Sequence, residues 1–300
     1  MDIKEQVSQK LKPGKYIIAV SGGVDSVALL NIASKINGIE LIVAHFDHGI
    51  RSDSKLDQLF VRDLAIKYQL TFETKSVQLG SNASEKLARD ERYRFLKLAM
   101  DSHQAVGIIT AHHQDDIIET AVFNLLRGTG RRGVTSLSSN ELMIRPLLDV
   151  TKDHIKQYAL QNKLSWREDS TNQDLKYSRN LIRSKLASKD KLVINKLLSE
   201  IDNLKSTNQE LDSALDELLI NVTEGKKLSK TKFISLTHGL ALEIMVKWLR
   251  LNGITEYDSK LLNNLVIAAK TYKNRSKFSI NKTAYLLIET EFLVIKTTTS

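Results

Sequence analysis

Between residues 16 and 111, short strand-like runs alternate with helical patterns, and no other feature constrains the fold as tightly. The runs are Tyr16–Val20, Leu41–His45, Thr71–Val77 and Gly107–Ala111. Helical patterns follow them at Ser26–Ile36, Lys55–Tyr68, Glu85–Met100 and Asp115–Arg127. A short, largely β-branched run such as Tyr16–Val20 has no polar position to turn towards water, so it reads as a strand buried on both faces. The alternation predicts a doubly wound, mainly parallel α/β sheet with helices on both faces. A fifth piece, Leu142–Leu148, adds a strand ended by Pro146, and Thr151–Gln161 reads as a short helix capped by Thr151 or Asp153.

The pattern changes beyond residue 190. Leu197, Ile201, Leu204, Leu211, Leu215 and Leu218 recur at steps of three and four, with Asn208 in the missing slot. This stripe predicts a long helical linker over 191–222, and it fits either a homodimer seam or packing within the chain. Helical patterns at Leu240–Leu251 and Ser259–Lys270, then a hairpin pattern in "TAYLLIETEFLVIK", predict a small α+β domain over 223–300. The expected division is therefore 1–190, 191–222 and 223–300.

Composition removes whole classes of chemistry. With no cysteine among 300 residues, the chain offers no disulfide, thiolate metal site, cysteine nucleophile or persulfide carrier. The N-terminal stretch is polar and no apolar run is long enough to span a bilayer, so a cytoplasmic protein without a membrane partner is expected. Lysine and arginine number 44 against 35 acids, a formal charge of +9. That balance favours a polyanion such as nucleic acid, although a basic cytosolic protein with no such partner has the same composition.

"SGGVDS" (Ser21–Ser26) lies between the first strand and the first helix. Strand, glycine-rich turn and helix present free backbone N–H groups to an anion. The loop lacks the lysine of a Walker A motif and the spacing of a dinucleotide fingerprint. Gly22 and Gly23 permit φ > 0 and a close approach of phosphate, while Ser21 and Ser26 add hydroxyls. Asp25 repels phosphate unless it holds a Mg²⁺ or orients the loop.

Four further segments carry candidate site residues, and the first and third of them follow strand ends, where α/β sites open. "VAHFDHGIRSDS" carries His45, His48 and Arg51; the histidines fit hydrogen bonding or metal ligation. "SEKLARDERYRFL" projects Arg89, Arg92 and Tyr93 from successive turns, with Leu87, Phe95 and Leu96 as apolar contacts. Arg89 suits a phosphate as a bidentate donor. "TAHHQDDIIETAVFNLLRGTGRRG" places His112, His113, Asp115 and Asp116 at a strand's carboxyl end, with Glu119 on the same helix face as Asp115. Acids stacked there suit a cationic substrate or Mg²⁺, although a helix N-terminus attracts acids in any case. Arg127, Arg131 and Arg132 then form a basic loop. "SWREDSTNQDLKYSRNLIR" adds Trp166, as core or stacking residue, and Arg179 and Arg183 on one helix face.

The phosphate loop is similar to that of the N-type ATP pyrophosphatases. In order, Ser21–Ser26, His48–Arg51, Ala88–Leu96, Ala111–Gly133, Arg145–Leu148 and Trp166–Arg183 resemble the motifs of the tRNA(Ile)-lysidine synthetase family. The resemblance covers about residues 15–186. Ile117 departs from it, standing where the family often has Gln, and the proline usual after the last motif is absent.

The resemblance implies an ATP-dependent ligase with Mg²⁺. It would adenylate the C2 carbonyl oxygen of the wobble cytidine in a CAU-anticodon isoleucine tRNA, then let free L-lysine displace AMP. By the same resemblance Ser21, Gly22, Gly23, Val24, Asp25 and Ser26 bind ATP. Asp115 and Asp116 meet lysine or Mg²⁺, Asp25 meets Mg²⁺, and Arg89 meets the adenylate. The remaining histidines, Glu119 and arginines named above line the substrate site, and the C-terminal domain contacts tRNA. Another tRNA-modifying ligase with the same loop, or a small-molecule adenylating amidation enzyme, is the alternative.

Overall fold

A computed structural model describes residues 2–49, 54–78, 85–168 and 178–297. The chain divides into two compact units, Met1–Leu204 and Lys205–Ser300. In the first, α1 (Ile3–Lys10), β1 (Gly14–Ala19), α2 (Val24–Ala33), β2 (Ile39–Asp47), α3 (Ser54–Lys67) and β3 (Thr71–Ser76) follow one another. Then come α4 (Glu85–Ser102), β4 (Gly107–Ile109), α5 (Gln114–Leu126), the one-turn α6 (Arg131–Val134), β5 (Met143–Ile144), α7 (Lys152–Gln161) and α8 (Ser178–Ala187). Helix α9 (Lys191–Val222) contains the division between the units.

The five strands of the first unit are parallel, in the order β3-β2-β1-β4-β5. Because strand side chains alternate, the central strands carry two separate cores. Ile18 pairs with Val43 and Ile109, and these pack on α2 and α3 through Leu29, Leu30, Val61 and Leu64. Ile17 pairs with Ile42 and Ile108 and faces the other way, onto Phe95, Leu96, Ala99 and Met100 of α4. Each such side chain, when fully buried, contributes about 1.5–3 kcal/mol. Helices thus cover both faces, as the alternation predicts.

Helix α2 is buried from Ser26 to Ala33 on every side, not along one stripe. The fifth strand is only Met143–Ile144, shorter than expected, and Leu147 and Leu148 are buried in the turn after it. Helix α1, which the polar N-terminal sequence did not predict, is anchored by buried Val7 and capped by Asp2. Leu87, expected among apolar contacts, is exposed, whereas Phe95 and Leu96 are buried.

What this topology does for function is set by β1. The chain leaves β1 towards β2 and β3 on one side, while β4 and β5 lie on the other. Loops after β1 and β4 therefore diverge and open a crevice at the carboxyl edge, the usual ligand position in such sheets.

The second unit holds β6 (Thr223–Glu224), β7 (Lys227–Ser229), α10 (Lys230–Ser235), α11 (His238–Leu251) and α12 (Ser259–Thr271). Strands β8 (Lys277–Ser279), β9 (Ala284–Ile288) and β10 (Phe292–Thr297) complete it. Its sheet is antiparallel, ordered β6-β7-β10-β9-β8. Trp248 is wholly buried at the centre of its core, and its indole N–H donates to the Lys226 carbonyl at 2.9 Å. Leu215 and Val222 of α9 belong to the same core, whereas Leu211 of the stripe is 38% exposed.

Candidate active site

The loop between β1 and α2 is shaped by two glycines with different tasks. Gly22 has φ = +94°, a conformation that other residues adopt only under strain. Gly23 instead caps α2 in an extended conformation, φ −73° and ψ 162°, so the expected freedom at φ > 0 is used at Gly22 alone. Ser26 is buried and ties the loop together. Its hydroxyl donates to the Gly23 carbonyl at 2.9 Å and accepts from the Ser21 N–H at 3.2 Å. Ser21 is exposed, and Val24 opens the helix. From far along the chain, the Arg167 N–H donates to the Gly22 carbonyl at 3.0 Å, and its side chain pairs with Asp57, which is buried on α3.

Across the crevice, the turn after β4 brings an imidazole between two carboxylates. His113 Nε2 lies 3.8 Å from Asp25 Oδ2 and 3.6 Å from Asp116 Oδ2. Asp116 also accepts from the His113 backbone N–H at 2.9 Å, which fixes the first turn of α5. Asp25 Oδ1 and His113 Nδ1 are both buried without a hydrogen-bond partner among the described residues. Burial pushes the Asp25 carboxyl above its ordinary pKa, and Asp116 adds to that; His113, Lys152 and Arg183 pull the other way.

A carboxylate oxygen left open beside a second carboxylate suits a hard divalent cation. Among the described residues no group of three or more His, Asp or Glu could hold a metal by itself. Mg²⁺ takes one or two carboxylates and fills its remaining positions with phosphate oxygens and water.

The other expected site residues fall into separate groups. Glu119, buried on α5, is gripped by Arg183 of α8 through two bonds of 2.7 and 2.9 Å, and that hydrogen bonding raises the arginine's pKa. His45 is buried with Nδ1–H donating to the Val20 carbonyl at 2.9 Å, and burial lowers its pKa, so the ring is neutral. His48 packs edge-on to Phe46 with centroids 4.8 Å apart. Arg89 and Arg92 sit over the ring of Tyr93 at 5.2 and 5.4 Å. Both face His112, which bonds Thr110 Oγ1 at 2.8 Å; burial, with help from the arginines, pushes its pKa down to about 3.

Asp115 is half-buried in the first turn of α5, and Arg127 lies over Phe123 at 5.1 Å. Arg131 and Arg132 form the first turn of α6, whose approach is held by Asn124 bonding the Gly133 carbonyl at 2.7 Å. Trp166 packs against the main core. Arg51 and the side chain of Arg179 lie outside the described residues.

Sequence reasoning gave Arg145 no site role, although it opens one of the resembling motifs, and missed Lys152 and the Asp57–Arg167 pair. The strand-end rule was sufficient to find Arg145, which directly follows β5. For Lys152, which faces Asp25 from α7, no local signal exists.

Comparison with known proteins is consistent with this geometry. The PP-loop domain family matches residues 2–190. A tRNA(Ile)-lysidine synthase from Mycoplasma mycoides subsp. mycoides SC is 31% identical over 303 residues, covering 95% of this chain and 74% of the relative. That of Thermotoga maritima is 37% identical over 187 residues, covering 59% of this chain and 45% of the relative. The chain thus spans about three quarters of the first relative's length and less than half of the second's. A solved structure, the U34-tRNA thiolase NcsA from Methanococcus maripaludis with its [4Fe-4S] cluster, shares the fold at TM-score 0.53 and 14% identity. It covers 67% of this chain and 78% of its own.

Proposed function

The chain belongs to the tRNA(Ile)-lysidine synthase family and carries that family's PP-loop domain, and from this premise we propose that it joins free L-lysine to C2 of the wobble cytidine in the CAU-anticodon isoleucine tRNA. ATP supplies the drive and leaves as AMP and diphosphate. The observation that carries this reading is the convergence at one crevice of the Ser21–Gly23 loop with Asp25, His113 and Asp116. Anion-binding backbone and open carboxylate meet there, as transfer of an adenylate to a base and then of a base to an amine requires.

In the first step the cytidine O2 attacks the α-phosphorus and the bond to the β-phosphate breaks. The loop N–H groups and the start of α2 hold the departing diphosphate. Asp25 and Asp116 are the residues that would hold Mg²⁺, which when bound neutralises phosphate charge. In the second step the lysine Nε attacks C2, the C2–O bond breaks, and AMP leaves with that oxygen. Lysine, with a side-chain pKa of about 10.4, must lose a proton first. Asp115 and Asp116 suit its ammonium and the proton it gives up. Glu119, clamped by Arg183, fixes the wall of that pocket, and Arg89 suits the adenylate.

The chain has no cysteine, so sulfur transfer through a persulfide or a thiolate-held cluster has no residue to use. No helix among the described residues is long and apolar enough to cross a membrane. The proposal places the protein in the cytoplasm and the second unit against tRNA. Lys227 over Phe292 and Lys277 over Tyr285 support that contact. A homodimer remains part of the proposal, and sedimentation with and without tRNA decides it.

The test is incorporation of radiolabelled lysine into an isoleucine tRNA transcript with anticodon CAU, with ATP and Mg²⁺. Incorporation that fails on a CAU methionine tRNA supports the reading. AMP release that needs no lysine and a different substrate overturns it.

A further inference from the structure

Beside the Asp25 crevice lies a second group of charges, of which the steps above use Arg89 alone. Arg145 follows β5 and is only 6% exposed. Its Nη1 donates to the Ser138 carbonyl and its backbone N–H to Ser139 Oγ at 2.9 Å, yet its Nε is buried without an acceptor. The Tyr93 hydroxyl faces Arg145 but makes no well-formed hydrogen bond, and it too is buried. Arg89 and Arg92 stand over the same ring.

Burial alone raises a phenol's pKa, but here the charges of Arg92, Arg89 and Arg145, with the close approach of the Arg145 guanidinium to the hydroxyl, outweigh it, and the Tyr93 hydroxyl sits below its ordinary value. Among the described side chains, no carboxylate pairs with Arg145 or Arg89. A buried guanidinium cannot shed its proton and is costly without a counter-charge. His112, near these arginines and held neutral by burial, brings no negative charge to them.

We propose that Arg145 and Tyr93, flanked by Arg89 and Arg92, form an anion pocket that holds one phosphate group of a nucleotide substrate. Arg145 presents Nε, Tyr93 presents its hydroxyl, and the two helical arginines supply the field. The chemistry is that of a phosphate ester, and two sources provide it. One is the phosphate of AMP as it is carried on the substrate; the other is a phosphodiester beside the target base in RNA. This deepens the reading above and rests on it for the identity of the substrate, but not for the existence of the pocket.

The experiment measures equilibrium binding of two probes, AMP and a CAU anticodon stem-loop RNA, to the full chain without lysine. Wild type is compared with Arg145→Gln and Tyr93→Phe at two salt concentrations, and ligand-free melting temperatures are recorded. The expected result for Arg145→Gln is binding of one probe weakened roughly 10- to 100-fold, with a smaller loss for Tyr93→Phe. The ligand-free melting temperature should stay level or rise, because an uncompensated charge has been removed; a purely structural arginine would lower it.

Loss on AMP alone assigns the pocket to the nucleotide phosphate. Loss on RNA alone assigns it to the phosphodiester, with the salt slope reduced by about 0.7 for one single-strand contact. Folded Arg145→Gln that binds both probes within two-fold of wild type overturns the proposal. Should Arg145→Gln not fold, Tyr93→Phe decides alone, and unchanged binding of both probes overturns it. Wild type that incorporates no lysine, while the variants still lose phosphate binding, refutes the ligase reading and leaves the pocket standing.

Discussion

Asp25 and Asn31 stand on the same buried helix, α2, yet one is left open and the other is completed. Asn31 is 6% exposed, and both its amide nitrogen and its amide oxygen are hydrogen-bonded. Its Nδ2 donates to the Tyr68 hydroxyl at 2.6 Å, and its Oδ1 accepts from the Tyr158 hydroxyl at 2.7 Å and from Lys35 at 2.8 Å. Asp25 holds one oxygen near His113 and has the other buried with no partner. A satisfied buried network specifies a fold; an unsatisfied one weakens it unless a ligand finishes it. The difference separates structural polarity from functional polarity within a single helix.

The sharpest way to break this contrast is to neutralise each group in turn. Asp25→Asn keeps the shape and removes the charge. It should lower turnover about 1000-fold, roughly 4 kcal/mol of transition-state stabilisation, in the lysine incorporation assay. The ligand-free protein should melt no lower than wild type. The sign follows from the raised pKa of Asp25. Its stabilising contribution is complete below the unfolded value near 3.9 and is lost as pH rises through the folded value. At neutral pH wild type therefore carries a penalty that the variant lacks. Mg²⁺ should raise the melting temperature of wild type and not of Asp25→Asn; equal shifts would remove the cation from this site.

Asn31→Leu should do the reverse. It strands two tyrosine hydroxyls and a lysine, at about 2–3 kcal/mol of stability, read by denaturant unfolding. The KM values of the folded fraction should stay within two-fold. A large change in KM with unchanged stability would make Asn31 a functional group and erase the contrast. Between these cases stand the loop glycines. Gly22→Ala meets a φ of +94° and should cost about 1–2 kcal/mol of stability. Gly23→Ala meets only Ser21 Oγ at 3.6 Å and should fold normally. Reduced ATP affinity in that folded variant would show that phosphate needs the bare backbone at Gly23.

How far the sequence revealed these features depends on range. The parallel sheet was legible because strands buried on both faces, such as Tyr16–Val20, contain no polar positions. The hairpin of β9 and β10 was legible by its period of two, but β6, β7 and β8 have two or three residues each, too few to show any period. Helix α1 was missed because only Val7 of its eight residues is buried. Within the site, Asp25, His113 and Asp116 were legible as chemistry-bearing residues at strand ends. Their partners were not. Glu119 meets Arg183 across 64 positions and Tyr158 meets Asn31 across 127, and no local periodicity encodes such pairings. Arg145 is the instructive omission, because it occupies a strand end and opens the resembling motif Arg145–Leu148, yet it was given no role at the site.

The smallest effect tests whether the completed network is complete in the thermodynamic sense. Burial, with the nearby Tyr68 and Asp2, pushes the Tyr158 hydroxyl up to about 12. The unfolded value is about 10, so the folded state favours the neutral phenol. That contribution is fully present below pH 10 and is lost as pH rises from 10 towards 12. Tyr158→Phe removes one hydrogen bond while Lys35 still serves Asn31 Oδ1, so the variant should lose about 1 kcal/mol at pH 8. The gap between wild type and variant should then narrow by pH 11, measured by urea unfolding at both. Parallel stability curves across that window would mean that folding does not favour the neutral phenol, and that burial does not hold Tyr158 in the donor form its bond to Asn31 needs.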